Sequence, residues 1–568
     1  MTQEWEFGER AEETETTFVA LAARVVDGLL ARDPVEATAL GDHRFDDRLP
    51  DWSGGGVTES LATVDQALSA VDQVDDLALS TPSAVDLEIL RSRLSGQKLA
   101  LETLAEHTWN PLLANPGTAL YLLGARDFAP ADQRAASLLG RLRAIPAALD
   151  AARQQLGDMP RVHLETAVGQ FRGTQGLVAD QLGELLDADA SLRPALDEAR
   201  TEANAALEAH IGWMQDRLDS DLATRDPRLG PEKYAAKLWA TLDAQLTPDQ
   251  VLERAEGDLI RHEGEIARAA AQYLGEAEPP PDDAGALVRR ALDAVASESP
   301  VDDATVLPLC EAAFAATTAF VREHDLVTIH DDPVQIVEMP EIHRGVAVAY
   351  CDPPGPLETA ELPTFFAVSP TPADWDAARS ASFYREYNAR ALHNLTVHEA
   401  MPGHVLQLAH SRRAQVTTPV RHAFWSGPFV EGWAVYAEQL MVERGYDAGL
   451  GERAALAIRL QQLKMQLRMT INAILDVRVH TRGMTEAEAM RLMQVRGHQE
   501  EGEAVGKWRR ALLTSTQLST YYVGYVAVSD LVRDLRAAQP SWSDRQLHDA
   551  VLAHGSPPPR HLRHLLGV

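Results

Sequence analysis

Cysteine is nearly missing from this chain: Cys310 and Cys351 are its only two in 568 residues. Two cysteines make no disulfide framework, so a reducing compartment fits. Long apolar runs are missing too, and none is long enough to span a bilayer. The opening residues, MTQEWEFGERAEETETTF, are acidic and lack the basic start and apolar run of a secretory signal. These absences make the cytoplasm the expected compartment, with no membrane partner. Positive charge is scarce: 52 Lys and Arg stand against 84 Asp and Glu, a net charge of −32. Such a surface repels nucleic acid. No fixed-period repeat is visible, which argues against a solenoid.

Helical periodicity is what the chain has in abundance. Phe18, Leu21, Val25, Leu29 and Leu30 form one stripe over residues 10–32, closed by Asp33-Pro34. After a Gly- and Asp-rich stretch at 41–56, helical patterns are expected near 57–74, 84–107, 130–157, 160–187, 191–220, 231–243, 247–274, 283–298 and 301–324. Asn115-Pro116-Gly117 and Pro279-Pro280-Pro281 punctuate them. Thr247-Pro248 and Ser299-Pro300 each read as a cap followed by proline at a first helical position. The texture changes at about 326. Residues 326–329, 334–337, 346–350 and 364–368 are short and β-branched or aromatic, and predict a small sheet. An exposed edge strand there could bind an extended peptide. Helix resumes near Asp374. The expected fold is mainly α, a large helical fold with a small sheet. A helical lobe at 1–325 would precede a second lobe at 326–568 that contains the sheet, since the chain is too long for one simple core.

The stretch His398-Glu399-Ala400-Met401-Pro402-Gly403-His404 carries the chemistry. Imidazole is a good zinc ligand, and a catalytic zinc has three protein ligands and a water. The metal acidifies that water, and a neighbouring carboxylate takes its proton. In the usual H-E-x-x-H helix two histidines four apart share a face. Here the second histidine comes six residues on, about 240° round a straight helix, so the rings would point apart. Pro402 and Gly403 supply the break that could bring His404 back. Without such a break, the stretch is a helix end with unrelated polar residues.

Downstream, Glu431 and Glu438 share a helical face but stand about 10 Å apart along it, so one metal cannot bind both. One is a candidate third ligand and the other a partner that orients a histidine. Trp433 and Tyr436 read as core. His393 reads as a satisfied or exposed histidine. The run 452–479 looks buried and leads to Asp476 and His480, four apart. A carboxylate-held His480 could steady an oxyanion, or this could be a capped helix end. Tyr521 and Tyr522 could donate phenolic hydrogen bonds or simply pack. His498-Gln499-Glu500-Glu501 reads as solvent-facing.

The motifs H-E-x-x-x-G-H, E-G-W-A-x-Y-x-E, D-x-R-x-H-T and Q-x-x-x-Y-x-x-G occur here in that order, after an Asp33-Pro34…Gly41-Asp42-His43-Arg44 opening. This combination resembles the bacterial family called domain of unknown function 885, over nearly the whole chain. The family is grouped with gluzincin-type zinc metallopeptidases, and is distantly similar to the tubulin tyrosine carboxypeptidases. The resemblance implies one zinc ion held by His398, His404 and Glu431, with Glu399 as general base. The fold it implies is metallopeptidase-like, with a deep cleft, the small sheet beside the active-site helix and the catalytic lobe at 326–568. Tyr521 would stabilise the transition state or bind substrate, and His480 would have an active-site role. Glu438 would stand behind a ligand histidine and Asp476 behind His480. Tyr522 and Phe366 are candidates for substrate contact. Many relatives have Pro-Gly where this chain has Ser515-Thr516, and Lys where it has Tyr522. The expected activity is hydrolysis of short peptides by a zinc-activated water. The alternatives are a zinc amidohydrolase acting on a small amide, and a non-enzymatic metal-binding scaffold.

Overall fold

The computed structural model describes residues 2–279, 283–340, 348–372 and 375–568, with side chains from residue 12 onward. Val346 and Ala347 of an expected strand, Pro280 and Pro281 of the proline run, and Asp374 at an expected helix start lie outside the described residues. The protein is mainly α, with one small sheet.

Most helices form where the periodicity puts them. Gly54–Val71, Ala131–Gln155, Arg193–Asp219, Pro231–Leu242, Pro248–Leu274 and Ala284–Glu298 match the expected segments to within a few residues, while Thr81–Leu99 passes into a π-helical turn at Ala100–Leu104 and stops short of the expected 107. Thr247 accepts from Gln250 N while the Gln250 side chain accepts from Thr247 N, a complete capping box. The Ser299-Pro300 expectation is corrected. Ser299 ends the preceding helix, its hydroxyl donating to Val295 O, and the next helix starts only at Val306. Residues 326–329 are not a strand either. Leu326 and Val327 are buried, and Thr328 is tied through its N–H and hydroxyl to Asp549. Side-chain bonds have replaced a ladder there.

The chain divides into two compact units. The first is Met1–Pro227 with Pro354–Leu362 and Val416–Phe424. Its apolar core includes Leu138, Leu142, Leu164, Phe171 and Leu207. Gly41, at φ 88, closes a helix, and a Cβ there would meet Glu358 N at 2.4 Å. His43 is bonded to Asp46 and Glu358, at 2.9 Å each. Buried Asp86 accepts from Arg421 Nε and from the Thr418 hydroxyl, each at 2.7 Å.

The second unit is Arg228–Pro353, Pro363–Gln415 and Trp425–Val568. The division therefore falls after Pro227 and not at 325. The physical reason is the long helix Glu452–Arg482, called the core helix below. Its Leu460, Leu463, Leu467, Ile471 and Ile474 share one apolar cluster with Leu259 and Ile266 of Pro248–Leu274. The three strands β1 (Val334–Glu338), β2 (Ala349–Asp352) and β3 (Thr364–Val368) run in the order β1-β3-β2. β1 pairs parallel to β3, with Ile336 opposite Phe366, and β2 pairs antiparallel, with Cys351 opposite Phe366. Buried side chains of β3 pack on Leu392, Leu395 and Val405, so the sheet lies against the helices of the metal motif. Among the described residues, no helix is long and apolar enough to cross a membrane.

Candidate metal centre

The first ligand helix runs Ala389–Glu399, capped by Asn388, and the second runs His404–Arg413. Between them the helix breaks, as the six-residue spacing requires. Ala400 leaves helical geometry at φ −125, ψ −81, and Gly403 at φ −77, ψ −128 starts the new direction. The Met401–Pro402 bond is cis. A Cβ on residue 403 would lie 1.8 Å from His398 O, so only glycine fits where the chain folds back on its own helix. Several backbone groups of the break have partners. Ala400 N and Met401 N both reach Thr396 O, and Pro402 O accepts from buried Trp433 Nε1 at 2.8 Å.

The break turns the two imidazoles edge-to-face, 4.8 Å between centroids. The glutamate helix, Gly427–Glu443, brings Glu431 between them. Its Oε2 is 3.4 Å from His398 Nε2 and 3.7 Å from His404 Nε2. One donor atom from each of His398, His404 and Glu431 lies within 4.8 Å of the others. The glutamate helix is fixed by glycine contacts. A Cβ at Gly432 would meet Gly524 C at 2.3 Å, and one at Gly524 would meet Pro428 O at 2.0 Å. The glutamate helix and the helix Gln517–Ala538, called the tyrosine helix below, thus touch backbone to backbone next to Glu431.

The fit to a metal can be judged from the polar atoms. Glu431 Oε2 is buried and, among the described residues, has no hydrogen-bond partner. A buried carboxylate oxygen facing two imidazole nitrogens at more than 3.3 Å is too far for good hydrogen bonds. A cation among the three would satisfy all of them, and two histidines with one carboxylate suit zinc. The other nitrogen of His398, Nδ1, is 2.7 Å from Glu438 Oε1. Glu438 is fully buried, and its second oxygen accepts from Asn394 Nδ2 at 2.7 Å. This carboxylate fixes the His398 ring with Nε2 toward Glu431.

Charge is strongly coupled here. Burial would raise the Glu431 pKa, but the two histidines beside it hold it well below the carboxylate range. Burial would lower that of His398, but Glu431 and Glu438 push it well above the usual value. Glu399 is half-buried, and its Oε2 accepts from Cys351 N of β2 at 3.1 Å. Burial, helped by the Glu431 charge, raises its pKa. Tyr521 lies one turn before Gly524, and burial together with the Glu431 charge raises its phenol.

Other expected site residues go elsewhere. The His480 ring is spent on the backbone: Nε2 reaches Ala511 O at 2.9 Å and Thr514 O at 3.0 Å, and Leu229 N donates to Nδ1 at 3.4 Å. Asp476 caps the tyrosine helix, accepting from Thr516 N, Ser519 N and the Ser519 hydroxyl. The pair ties the core helix to its neighbours and not to the candidate ligands. Thr516 has φ 69, the left-handed region that favours glycine. Phe366, expected at the substrate, is wholly buried in the core of the sheet. Tyr522 is buried too, and its hydroxyl donates to Asp258 at 2.7 Å. A residue next to Tyr521 on a helix points about 100° away from it. His498 and Gln499 are buried, correcting their solvent-facing reading. His393 is satisfied by the Tyr446 hydroxyl at 3.0 Å.

Sequence reasoning missed Asn394, although its place four residues before His398 signals a shared face. It also missed the Gly432–Gly524 contact, which glycine inside two helices could have suggested. The Cys351 N–H on Glu399 is a backbone contact that no side-chain pattern announces.

Comparison with solved structures finds a relative described as "a putative lipoprotein of unknown function from Shewanella oneidensis", 28% identical, TM-score 0.81, covering 97% of this chain and 100% of that one. A second, "the putative lipoprotein from Colwellia psychrerythraea", has 16% identity and TM-score 0.78, covers 98% and 99% of the two chains, and shares the fold. No curated protein matches. The family described as "Bacterial protein of unknown function (DUF885)" matches residues 34–566, almost the whole chain including every element of the centre, and the chain belongs to that family.

Proposed function

We propose that this protein is a zinc-dependent peptidase acting on short peptides. The reading is carried by the convergence of His398, His404 and Glu431, with donor atoms within 4.8 Å of one another, on a helix break that also places Glu399. The motif's resemblance to gluzincin peptidases, and more distantly to the tubulin tyrosine carboxypeptidases, supports the same chemistry. His398, His404 and Glu431 would hold one zinc ion. Three protein ligands leave a position for water, whereas a structural site is normally closed by four. When bound, zinc supplies a water acidified to near neutrality.

The remaining work falls to the protein's own groups. Glu399, with its raised pKa, takes a proton on its carboxylate and passes it to the leaving amine. The Cys351 N–H keeps that carboxylate aimed while the proton moves. Glu438 holds His398 in one ring orientation. The Tyr521 hydroxyl, to which Arg510 donates at 3.2 Å, would donate to an oxyanion.

Glu399→Gln should keep zinc affinity and lose at least about 100-fold in turnover on a peptide library, the usual size of a general-base effect. Full activity in that variant would sink the mechanism. Activity confined to small amides in metabolite profiling would favour the amidohydrolase reading instead. For the compartment, the low cysteine content favours the cytoplasm, whereas the Shewanella relative is described as a lipoprotein. Fractionation of cells making the native gene product separates the two.

A further inference from the structure

Helix Glu501–Leu513 carries Glu503, Lys507 and Arg510 at steps of four and three, which puts them on one face. Arg468 of the core helix meets that face. It donates through Nη2 to Glu503 and through Nη1 to the Tyr387 hydroxyl at 3.0 Å. Lys507 Nζ stands 3.6 Å from the same Glu503 oxygen. The neighbouring Lys464–Glu386 pair, at 2.9 Å, is also held by the Glu500 N–H, which donates to Glu386 at 3.1 Å. Around Glu503 the cations Arg468, Lys507 and Arg510 therefore outnumber the carboxylate they share. This is unexpected in a chain with 84 acidic and 52 basic residues. It is also a costly place for such an excess, because the Lys507 and Arg468 side chains are only 4% and 15% exposed. Burial, with Arg468 and Arg510 alongside, pulls the Lys507 ammonium down to about 7.

The cluster ends at Tyr521, whose phenol feels the Glu431 charge. Arg510 Nη2 donates to Gln517 Oε1 at 2.8 Å and to the Tyr521 hydroxyl at 3.2 Å. Both bonds leave from one nitrogen, so the rest of its planar fork remains to grip a carboxylate. Tyr521 lies about 4.5 Å along its helix from Gly524, which touches Gly432 beside Glu431.

We propose that Arg510, backed by Lys507, holds a carboxylate of the substrate beside Tyr521, so that the preferred substrates are peptides bearing a free carboxylate near the scissile bond. The proposal rests on the peptidase reading of the same centre and adds its substrate class.

Binding can be measured apart from turnover in the zinc-loaded Glu399→Gln protein. The probes are N-acetylated tripeptides as free acids, the same peptides as C-terminal amides, and amides ending in Asp or Glu. Calorimetric titration should show the acids binding at least about 10-fold tighter than the plain amides, as expected for a charged hydrogen-bonded pair. Arg510→Met in that background should erase the difference, bringing the acids to the affinity of the amides. Arg510→Lys, which keeps the charge without the fork, should restore part of it. Tight binding regained by the Asp and Glu amides would assign the carboxylate to a side chain, and its absence to the C terminus. Equal affinity for acids and amides, a preference that survives both Arg510→Met and Lys507→Met, or no binding by any set would overturn the proposal. The parent reading is judged on the native protein. Hydrolysis of acids and amides with equal kcat/KM would keep the peptidase and remove the carboxylate site. Carboxylate binding without hydrolysis of any set would do the reverse.

Discussion

An alanine at position 403 would put its Cβ 1.8 Å from the His398 carbonyl oxygen and 2.3 Å from that of Val397. Both are backbone atoms of the first ligand helix, so no side chain can swing aside. Close carbon–oxygen contacts settle at about 3.3 Å, so the chain must open by roughly 1.5 Å (3.3 − 1.8 Å). His404 is the next residue, and its ring moves with the backbone. Zinc–ligand distances hold to about 0.2 Å, so a shift of that size takes His404 out of the ligand set. Losing a supporting contact alone costs 10–100-fold in metal affinity, and losing a ligand should cost more than about 100-fold. The fold should survive at an overpacking cost of about 1–3 kcal/mol. Zinc affinity can be read by competition with a chromophoric chelator, and folding by urea titration of the same samples. Gly169→Ala is the control, because a Cβ at that helical position meets nothing within 4 Å. It should stabilise by about 0.5–1 kcal/mol and leave zinc binding alone. A folded Gly403→Ala protein that binds zinc like the native one would refute the geometric argument.

Three other perturbations test other parts of the structure. Glu438→Gln weakens the bond that orients His398, and zinc affinity should fall by about 10–100-fold with the fold intact; unchanged affinity would show that the ring is held by something else. Arg421→Met strands the Asp86 carboxylate in the interior and should cost about 3–5 kcal/mol in urea unfolding; a loss under about 1 kcal/mol would mean water or a rearranged partner reaches Asp86. Burial, the largest influence in each case, holds His210, His262, His393, His498 and His548 down to about 4. Between about pH 6.5 and pH 4 the unfolded chain binds more protons than the native one, so stability present above 6.5 is lost as pH falls, by up to about 1.4 kcal/mol per pH unit for each histidine. Urea midpoints at pH 7 and pH 5.5 should differ accordingly, with His43, raised by Asp46 and Glu358 against its burial, offsetting part of the loss; a flat profile would show that these rings stay accessible to protons.

Helices were legible in the sequence wherever apolar residues recur at helical spacing, because burial of one face is what forms them. Residues 326–329 have the composition of a strand, yet Asp549, more than two hundred residues away, satisfies the backbone there. No local pattern carries that partner. The break at Pro402-Gly403 was legible because a six-residue step is incompatible with a shared helical face. His480 was misread because its spacing from Asp476 is real, but the partners of both lie on other segments. Phe366 was misread because a central strand residue and a cleft residue look alike in sequence.

Glu431 and Glu438 show how a spacing can hold more than one meaning. Seven residues apart on one face, they stand about 10 Å from each other along the helix, too far to share a metal. That distance is what is needed to hold one imidazole between them. Glu438 takes His398 Nδ1 at 2.7 Å, and Glu431 waits 3.4 Å beyond Nε2 at the far side of the same ring. The glutamate helix thus acts as a ruler, with its lower carboxylate fixing the ring and its upper one facing the site the ring points to. Trp433, between the two, bonds Pro402 O and so fixes the same ruler to the break that delivers His404. One helix therefore sets both histidines, which is why E-G-W-A-x-Y-x-E travels with H-E-x-x-x-G-H in this chain. Moving Glu438 by a single residue would rotate it about 100° off the ring and leave His398 free to turn.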